Sequence, residues 1–450
     1  MKIELNPGFR RALELMTSGR QHLFVTGSAG TGKSTLLEYF RTHTHKRVVV
    51  LAPTGVAALN VRGETIHSFF RFKPDITVQK VRRLPKKSRR IYEQVETIVI
   101  DEISMVRADL LDCVDRFLRL NRTQPDQPFG GVQMIFIGDL YQLPPVVTAQ
   151  EQPLFCTHYS SPYFFDADVF QDLKFEFVQL EKVYRQQDAE FIELLNQIRT
   201  NTITEPGLAL LNSRVGVQLN PTADDFVVYL TTRNEAAARI NNHYLARLPG
   251  KTWQFSATIS GSFDRNSYPT DYLLTLKPGA QVMMLTNDPK GRWVNGTLGR
   301  VKDIIYDPDE DSELIAVQFQ DRNQALVAPF TWEIFHFRYN EHRREIETEV
   351  LGTFTHYPLR LAWAVTIHKS QGKTFDRVII DLGSGTFAPG QVYVALSRCT
   401  SFGGIALTRP VKKEHIFTDW RIVRFLAELH QRAARSIPET TPKIRYSPDT

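Results

Sequence analysis

Apolar residues in the first third of the chain gather into four short unbroken runs: Leu23-Phe24-Val25, Val48-Val49-Val50-Leu51, Ile98-Val99-Ile100 and Met134-Ile135-Phe136-Ile137. Runs of this length without polar alternation predict strands buried on both faces, as in a parallel sheet covered by helices. A polar or glycine-rich segment follows each run. Ligands bind such sheets at the carboxyl ends of the strands, so the four segments are expected to converge on one cleft. A second set of runs, Phe226 to Leu230, Val378-Ile379-Ile380 and Ile405-Ala406-Leu407, lies beside helix-forming stretches at Glu190–Arg199 and Glu235–Arg247. It predicts a second α/β domain. Within that domain the pattern changes: Gln281 to Leu285, Gly299 to Ile305 and Leu314 to Phe319 are short strands separated by Gly, Asn and Asp turns, Asn295-Gly296 among them. A small inserted β-barrel is the economical reading.

At 450 residues the chain is too long for one core. The expected division is 1–180 for the first α/β domain, with a small insert rich in Arg, Lys and aromatic residues at about 61–92. Residues 181–254 and 351–435 form the second, 255–350 the barrel, and 436–450 a loosely ordered tail. Apolar content of 42% and charged content of 23% describe an ordinary soluble chain. No run of about 18 apolar residues offers a membrane span. Cys113, Cys156 and Cys399 lie far apart with no C-x-x-C pair and read as buried thiols rather than a disulfide or zinc framework. A helix begins almost at once after Leu5-Asn6-Pro7, so no targeting segment is expected, and a cytoplasmic protein of bacterial or phage-like kind is. The net charge of +6 is compatible with a polyanionic partner but does not identify one.

The chemistry starts directly after the first run. Gly27-Ser28-Ala29-Gly30-Thr31-Gly32-Lys33-Ser34 is a complete G-x-x-x-x-G-K-S phosphate-binding loop leading into a helix. Its glycines let several N–H groups point at one anion, and the helix adds its positive end. Lys33 is placed to reach the β- and γ-phosphates and Ser34 to ligate Mg²⁺, so ATP with Mg²⁺ is the expected pair. Asp101-Glu102, after the third run, supplies a Mg²⁺-directed carboxylate (Asp101) and a base for the attacking water (Glu102). Gln142, in Gly138 to Pro145, suits a neutral γ-phosphate sensor. Arg185 and Arg398 are candidate arginine fingers from the second domain, which makes hydrolysis depend on cleft closure.

The motifs form an ordered series. Ala52 to Ala58, Thr65 to Phe70, Asp101 to Met105, Gly138 to Pro145, Val183 to Gln186, Ala364 to Gly372 and Val392 to Arg398 resemble the successive motifs of superfamily 1 helicases. Order and spacing resemble the Pif-type helicases and their RecD-like relatives, and Leu110 to Gln133, ending Pro128-Phe129-Gly130-Gly131, favours Pif. The resemblance covers most of residues 20–410. It implies an α/β fold of two RecA-like P-loop domains with a small wedge insert and a Src-homology-3-like β-barrel insert. The implied activity is ATP-dependent 5′-to-3′ DNA unwinding in replication, repair, recombination or telomere maintenance. Single-stranded DNA, tailed or forked duplexes and G-quadruplexes are the implied substrates, for a monomer or a DNA-induced dimer. The resemblance also places Thr35 and Gly372 with the nucleotide. It places Pro53, Thr54, Gly55, His67, Thr232, Asn234, Thr366, His368, Lys369 and Gln371 along the DNA strand. One departure stands out: the family's opening L-x-x-E-Q, whose Gln recognises adenine, corresponds to Leu5-Asn6-Pro7-Gly8-Phe9, and Gln21 is the nearest substitute.

Other features stay open at the level of sequence. The cationic run Lys80 to Arg90 reads either as a solvated face or as a phosphate contact, and Trp293, beside Lys290, Arg292 and Asn295, either as a DNA contact or as barrel core. Two other function classes also fit a phosphate loop. An NTP-switched binding protein would hydrolyse without strand displacement, and a metabolite kinase would be indifferent to DNA.

Overall fold

The computed structural model describes residues 6–435 except 148–150, 153, 154, 156, 157, 220–224, 309, 310, 384 and 387, so Cys156 and the expected tail lie outside the described residues. The first lobe is a parallel sheet built from β1 (His22–Gly27), β2 (Val48–Ala52), β3 (Glu64–Thr65), β4 (Thr97–Ile100), β5 (Gln133–Gly138) and β6 (Phe175–Leu180). Its order is β3-β2-β4-β5-β1-β6. All of β5 is buried, as the apolar runs require. Helices α1 (Pro7–Thr17) and α2 (Lys33–His43) cover one face through Phe9, Met16, Leu36 and Phe40. The helix Ala108–Asn121 and the aromatic group Phe129, Phe164 and Phe170 cover the other.

Two strands beyond the four apolar runs complete the sheet, both at its edges. β3 is a polar pair and β6 alternates Phe-Glu-Phe-Val-Gln-Leu, so neither carries the continuous apolar signal of a central strand.

The second lobe has four parallel strands in the order Ala364–Thr366, Val228–Thr231, Val378–Asp381 and Ile405–Leu407. Between Val228–Thr231 and Ala364–Thr366 in the chain lies an antiparallel five-stranded sheet in the order Gln324–Val327, Ser312–Phe319, Leu298–Asp307, Gln281–Met284 and Leu359–Leu361. That sheet has its own core, in which Trp293 packs with Val301, Ile315, Val317 and Phe319. The alternative left open for Trp293 closes on core: it is 7% exposed.

A long hairpin, Phe330–Asn340 paired with Glu345–His356, reaches back to the first lobe. There the buried Glu64 carboxylate accepts from Phe337 N (3.1 Å) and Ser68 Oγ (2.6 Å) and lies 3.0 Å from His336 Nδ1. Glu64 thereby ties β3 to the inserted region. Part of the Lys80 to Arg90 run is spent on ion pairs, Lys80 with Asp75 and Arg90 with Glu341 of the hairpin turn. Cys113 and Cys399 are buried free thiols, and burial raises both.

Candidate active site

The segment from Gly27 to Ser34 joins β1 to α2, with Gly30 at φ +85° and Gly32 at φ +88°, a region that suits glycine. A Cβ on Gly30 would meet Arg185 Cβ at 2.6 Å, so the second lobe's side packs closely on this turn. The Lys33 amine donates to Gly27 O (2.7 Å) and Ser28 O (3.0 Å), which seats it inside the loop's curl. The Thr31 hydroxyl donates to Ser28 O (2.9 Å), while Ser34 and Thr35 stand exposed on the first turn of α2.

Three carboxylates surround that amine. Asp101 and Glu102 follow β4, and Asp139 follows β5. Burial pushes the Asp101 carboxyl up to about 7, and the Glu102 charge adds to the rise. Burial also raises Glu102, against the pull of Lys33 and Arg398. Lys33 is lowered by burial and partly restored by Asp139 and Glu102. Burial works to raise Asp139 as well, but Arg199 and Lys33 outweigh it and hold its carboxyl below the ordinary range. The oxygens of Ser34, Asp101 and Glu102 are a donor set that suits a hard divalent cation, and positive charge there would relieve the repulsion between the paired acids.

The opposite wall belongs to the second lobe. Arg398 is 1% exposed and donates from Nε to Val394 O (2.9 Å), from Nη1 to Ser370 O (3.4 Å) and from Nη2 to Ser397 Oγ (2.7 Å). Burial, then Arg185, lowers its guanidinium to about 9, while Tyr393, Glu102 and Asp139 work the other way. Arg185 donates to Ser397 O at 3.1 Å. Glu102 therefore feels Lys33 from one lobe and Arg398 from the other. Gln142 is buried and donates to Asp139 Oδ2 at 3.1 Å, inside the same cluster.

Side chains outside the expected set complete the junction. Arg199, at the end of the Ala189–Arg199 helix, pairs with Asp139 at 3.1 Å and lies 4.4 Å over the Tyr141 ring. The Tyr393 hydroxyl accepts from Ala29 N (2.9 Å) and donates to Asp139 Oδ2 (3.4 Å), so it touches the loop and the carboxylate at once. Tyr184 donates its backbone N–H to Gly30 O at 2.9 Å and leaves its ring 42% exposed at the loop's mouth. Arg199 gave no sequence signal beyond a helix-terminal cation, and Tyr184 and Tyr393, though each sits inside a motif, carried no role of their own there.

The residues expected along a nucleic acid strand fall into two groups. Thr54 caps α3 (Gly55–Asn60) by accepting from Ala57 N at 3.2 Å, and Pro53 and Gly55 are half-buried beside it. A Cβ on Gly55 would meet Ser267 Oγ of the inserted region at 2.1 Å. His67 is half-buried in α4 (Ile66–Phe69), and burial, then Arg107, lowers it. In the second lobe Thr232 is half-buried and Asn234 exposed, beside the strand end at Thr231. His368 is half-buried and lowered by burial, Lys369 is exposed, and the Gln371 amide nitrogen is buried without a protein partner. Gly372 adopts φ +74° with open space around it. Thr366 departs from the expectation: it is 4% exposed, and its hydroxyl accepts from Lys369 N at 3.3 Å, so it shapes the turn and presents no surface. Gln21 does not substitute for an adenine-reading Gln, because it precedes β1 at the end opposite the loop, roughly 20 Å away by strand length.

Fold and site together define a phosphate-loop NTPase with two parallel-sheet lobes and a charge cluster assembled from both. The PIF1-like helicase family matches residues 9–207. The ATP-dependent DNA helicase Pif1 of Bdellovibrio bacteriovorus is 34% identical over 418 residues, which span 90% of this chain and 88% of the relative. Bacteroides sp Pif1 in complex with ADP-AlF4 superposes with a TM-score of 0.86 at 35% identity, covering 96% of this chain and 98% of that one. A structure of two coordinating Pif1 helicases unwinding forked double-stranded DNA has the same identity and coverage with a TM-score of 0.67. The chain belongs to the Pif1 family of helicases.

Proposed function

We propose that the chain is an ATP-driven DNA helicase that moves 5′ to 3′ along one strand and opens the duplex ahead of it. The observation that carries this reading is the shared charge cluster, in which Glu102 lies between Lys33 and Arg398. In this reading the loop 27–34 and Lys33 hold the phosphates, with Thr35 and Gly372 bordering them. Glu102 takes the proton of the attacking water, Gln142 reports on the γ-phosphate, and Arg185 and Arg398 meet its developing charge. Ser34 and Asp101 would hold Mg²⁺, which supplies charge neutralisation at the phosphates.

Because the arginines come from the second lobe, hydrolysis is tied to the spacing between lobes. Thr54, Gly55 and His67 grip the strand from one lobe, and Thr232, Asn234, His368, Lys369 and Gln371 from the other. If the grips strengthen alternately as the cleft closes and reopens, the protein advances. We assign the wedge to the segment at about 61–92 and the barrel to the antiparallel sheet. The 5′-to-3′ direction is carried by the family resemblance. The substrates proposed are tailed and forked duplexes, with G-quadruplexes as a further class, for a monomer or a pair assembled on DNA.

Displacement of matched 5′- and 3′-tailed duplexes with ATP and Mg²⁺ tests the reading. Opening of the 5′-tailed duplex alone is expected. DNA-stimulated hydrolysis with no displacement on either would instead favour an NTP-switched binding protein.

A further inference from the structure

We propose that the nucleotide site is tolerant of the base: it accepts ATP, GTP, CTP and UTP, holding each by its phosphates and by one aromatic face without reading a base edge. The inference rests on the NTPase reading above and widens its nucleotide class from ATP to all four triphosphates.

A nucleotide with its phosphates in the loop 27–34 presents its base at the loop's outer mouth. Tyr184 stands there, its ring 42% exposed and Cε2 4.0 Å from the Cβ position of Gly32. The Lys182 amine lies 5.2 Å from the ring centroid, an exposed cation–π contact that a base can replace. Stacking on such a ring is indifferent to base identity, because every base has a π-face.

Discriminating adenine from the other bases needs a group that donates and accepts together along the base edge, the work of an Asn or Gln side-chain amide. Asn6 brings such an amide to this mouth, and two hydrogen bonds fix its orientation in the cap of α1 rather than toward a base edge. Its Oδ1 accepts from Phe9 N at 2.9 Å, capping α1, and its Nδ2 donates to the Tyr184 hydroxyl at 3.0 Å. Freeing it gives up the cap, which costs about as much as a new hydrogen bond returns. Phe9 is 3% exposed and packs edge-on to Tyr39 at 6.4 Å between ring centroids, so it contributes apolar contact alone. Gln21 is at the far end of β1. Among the described residues, the side chains left at the mouth are a ring face and the Lys182 cation, neither of which distinguishes adenine from guanine.

The test is phosphate release by the full chain with Mg²⁺ and single-stranded DNA, using each of the four triphosphates in turn. The expected kcat/KM values agree within about fivefold, a difference of roughly 1 kcal/mol. Tyr184→Ala is expected to raise KM for all four by about tenfold with kcat little changed, the signature of lost uniform binding. Tyr184→Phe, which keeps the face and removes the hydroxyl partner of Asn6, is expected to restore KM and to keep the four values level. A preference for ATP above about fiftyfold would overturn the inference, as would a Tyr184→Ala effect confined to ATP. If the folded protein binds DNA but hydrolyses none of the four, the NTPase reading itself fails and this inference with it.

Discussion

Asp139 keeps its charge with no exposed side-chain surface, and Arg199 makes that affordable at 3.1 Å. Removing one partner of a buried pair strands the other charge. Arg199→Ala is therefore expected to lower stability by about 3 kcal/mol in chemical denaturation, more than any loss from the Tyr141 contact alone. A loss under about 1 kcal/mol would mean that solvent reaches Asp139. For Glu102→Gln, nucleotide binding should survive while turnover drops at least about a hundredfold, since the amide keeps the shape but takes no proton. Near-normal turnover would remove Glu102 from the role of base.

Lys33, Glu102 and Arg398 were legible in sequence because each sits in a contiguous motif whose residue types match one step of phosphoryl transfer. Arg199 was not, and Tyr393, although it shares a motif with Arg398, showed no role there. Their importance comes from which carboxylate they touch across the junction, and no local spacing encodes that.

At the scale of elements, β1 and β5 carry a pH-sensitive joint. His22 Nδ1 accepts from Met134 N at 3.1 Å, and burial lowers the ring from 6.5 to about 4. The unfolded chain takes up this proton near pH 6.5 and the folded chain only near 4. Stability contributed by the neutral ring is thus present above 6.5 and lost as pH falls through that window, up to about 3 kcal/mol. His22→Gln, whose carbonyl can accept the same N–H, should show a smaller fall in Tm between pH 7 and 4.5 than the parent. Identical slopes would contradict this assignment.

Gly390 opens the Gln391–Leu396 helix at φ +75°, and a Cβ there would meet Tyr141 O at 2.3 Å. Gly390→Ala should push the two walls of the site apart and cut hydrolysis by about a hundredfold, with strand affinity far less affected. Equal losses in both would point to unfolding instead. The central strands were legible from their unbroken apolar runs, whereas β3 and β6 were not, because a sheet edge needs only one buried face or a brief pairing.

At the scale of the whole molecule, the inserted region does more than decorate the second lobe. Through His336 and Phe337 it closes on Glu64, and through Ser267 it closes on Gly55, so it sits against the elements that carry Thr54 and His67. This docking joins positions 273 residues apart, a distance no local pattern in the sequence could show. The two lobes meet around the phosphate loop, and in the proposed function that meeting is what lets a chemical step move a strand.

The most direct test of that coupling is Arg398→Ala, assayed for strand binding and for DNA-stimulated ATP hydrolysis on the same preparation. Hydrolysis is expected to fall by at least about a thousandfold while strand affinity stays within about threefold. Comparable losses in both, or hydrolysis near the parent rate, would contradict a site completed from across the cleft.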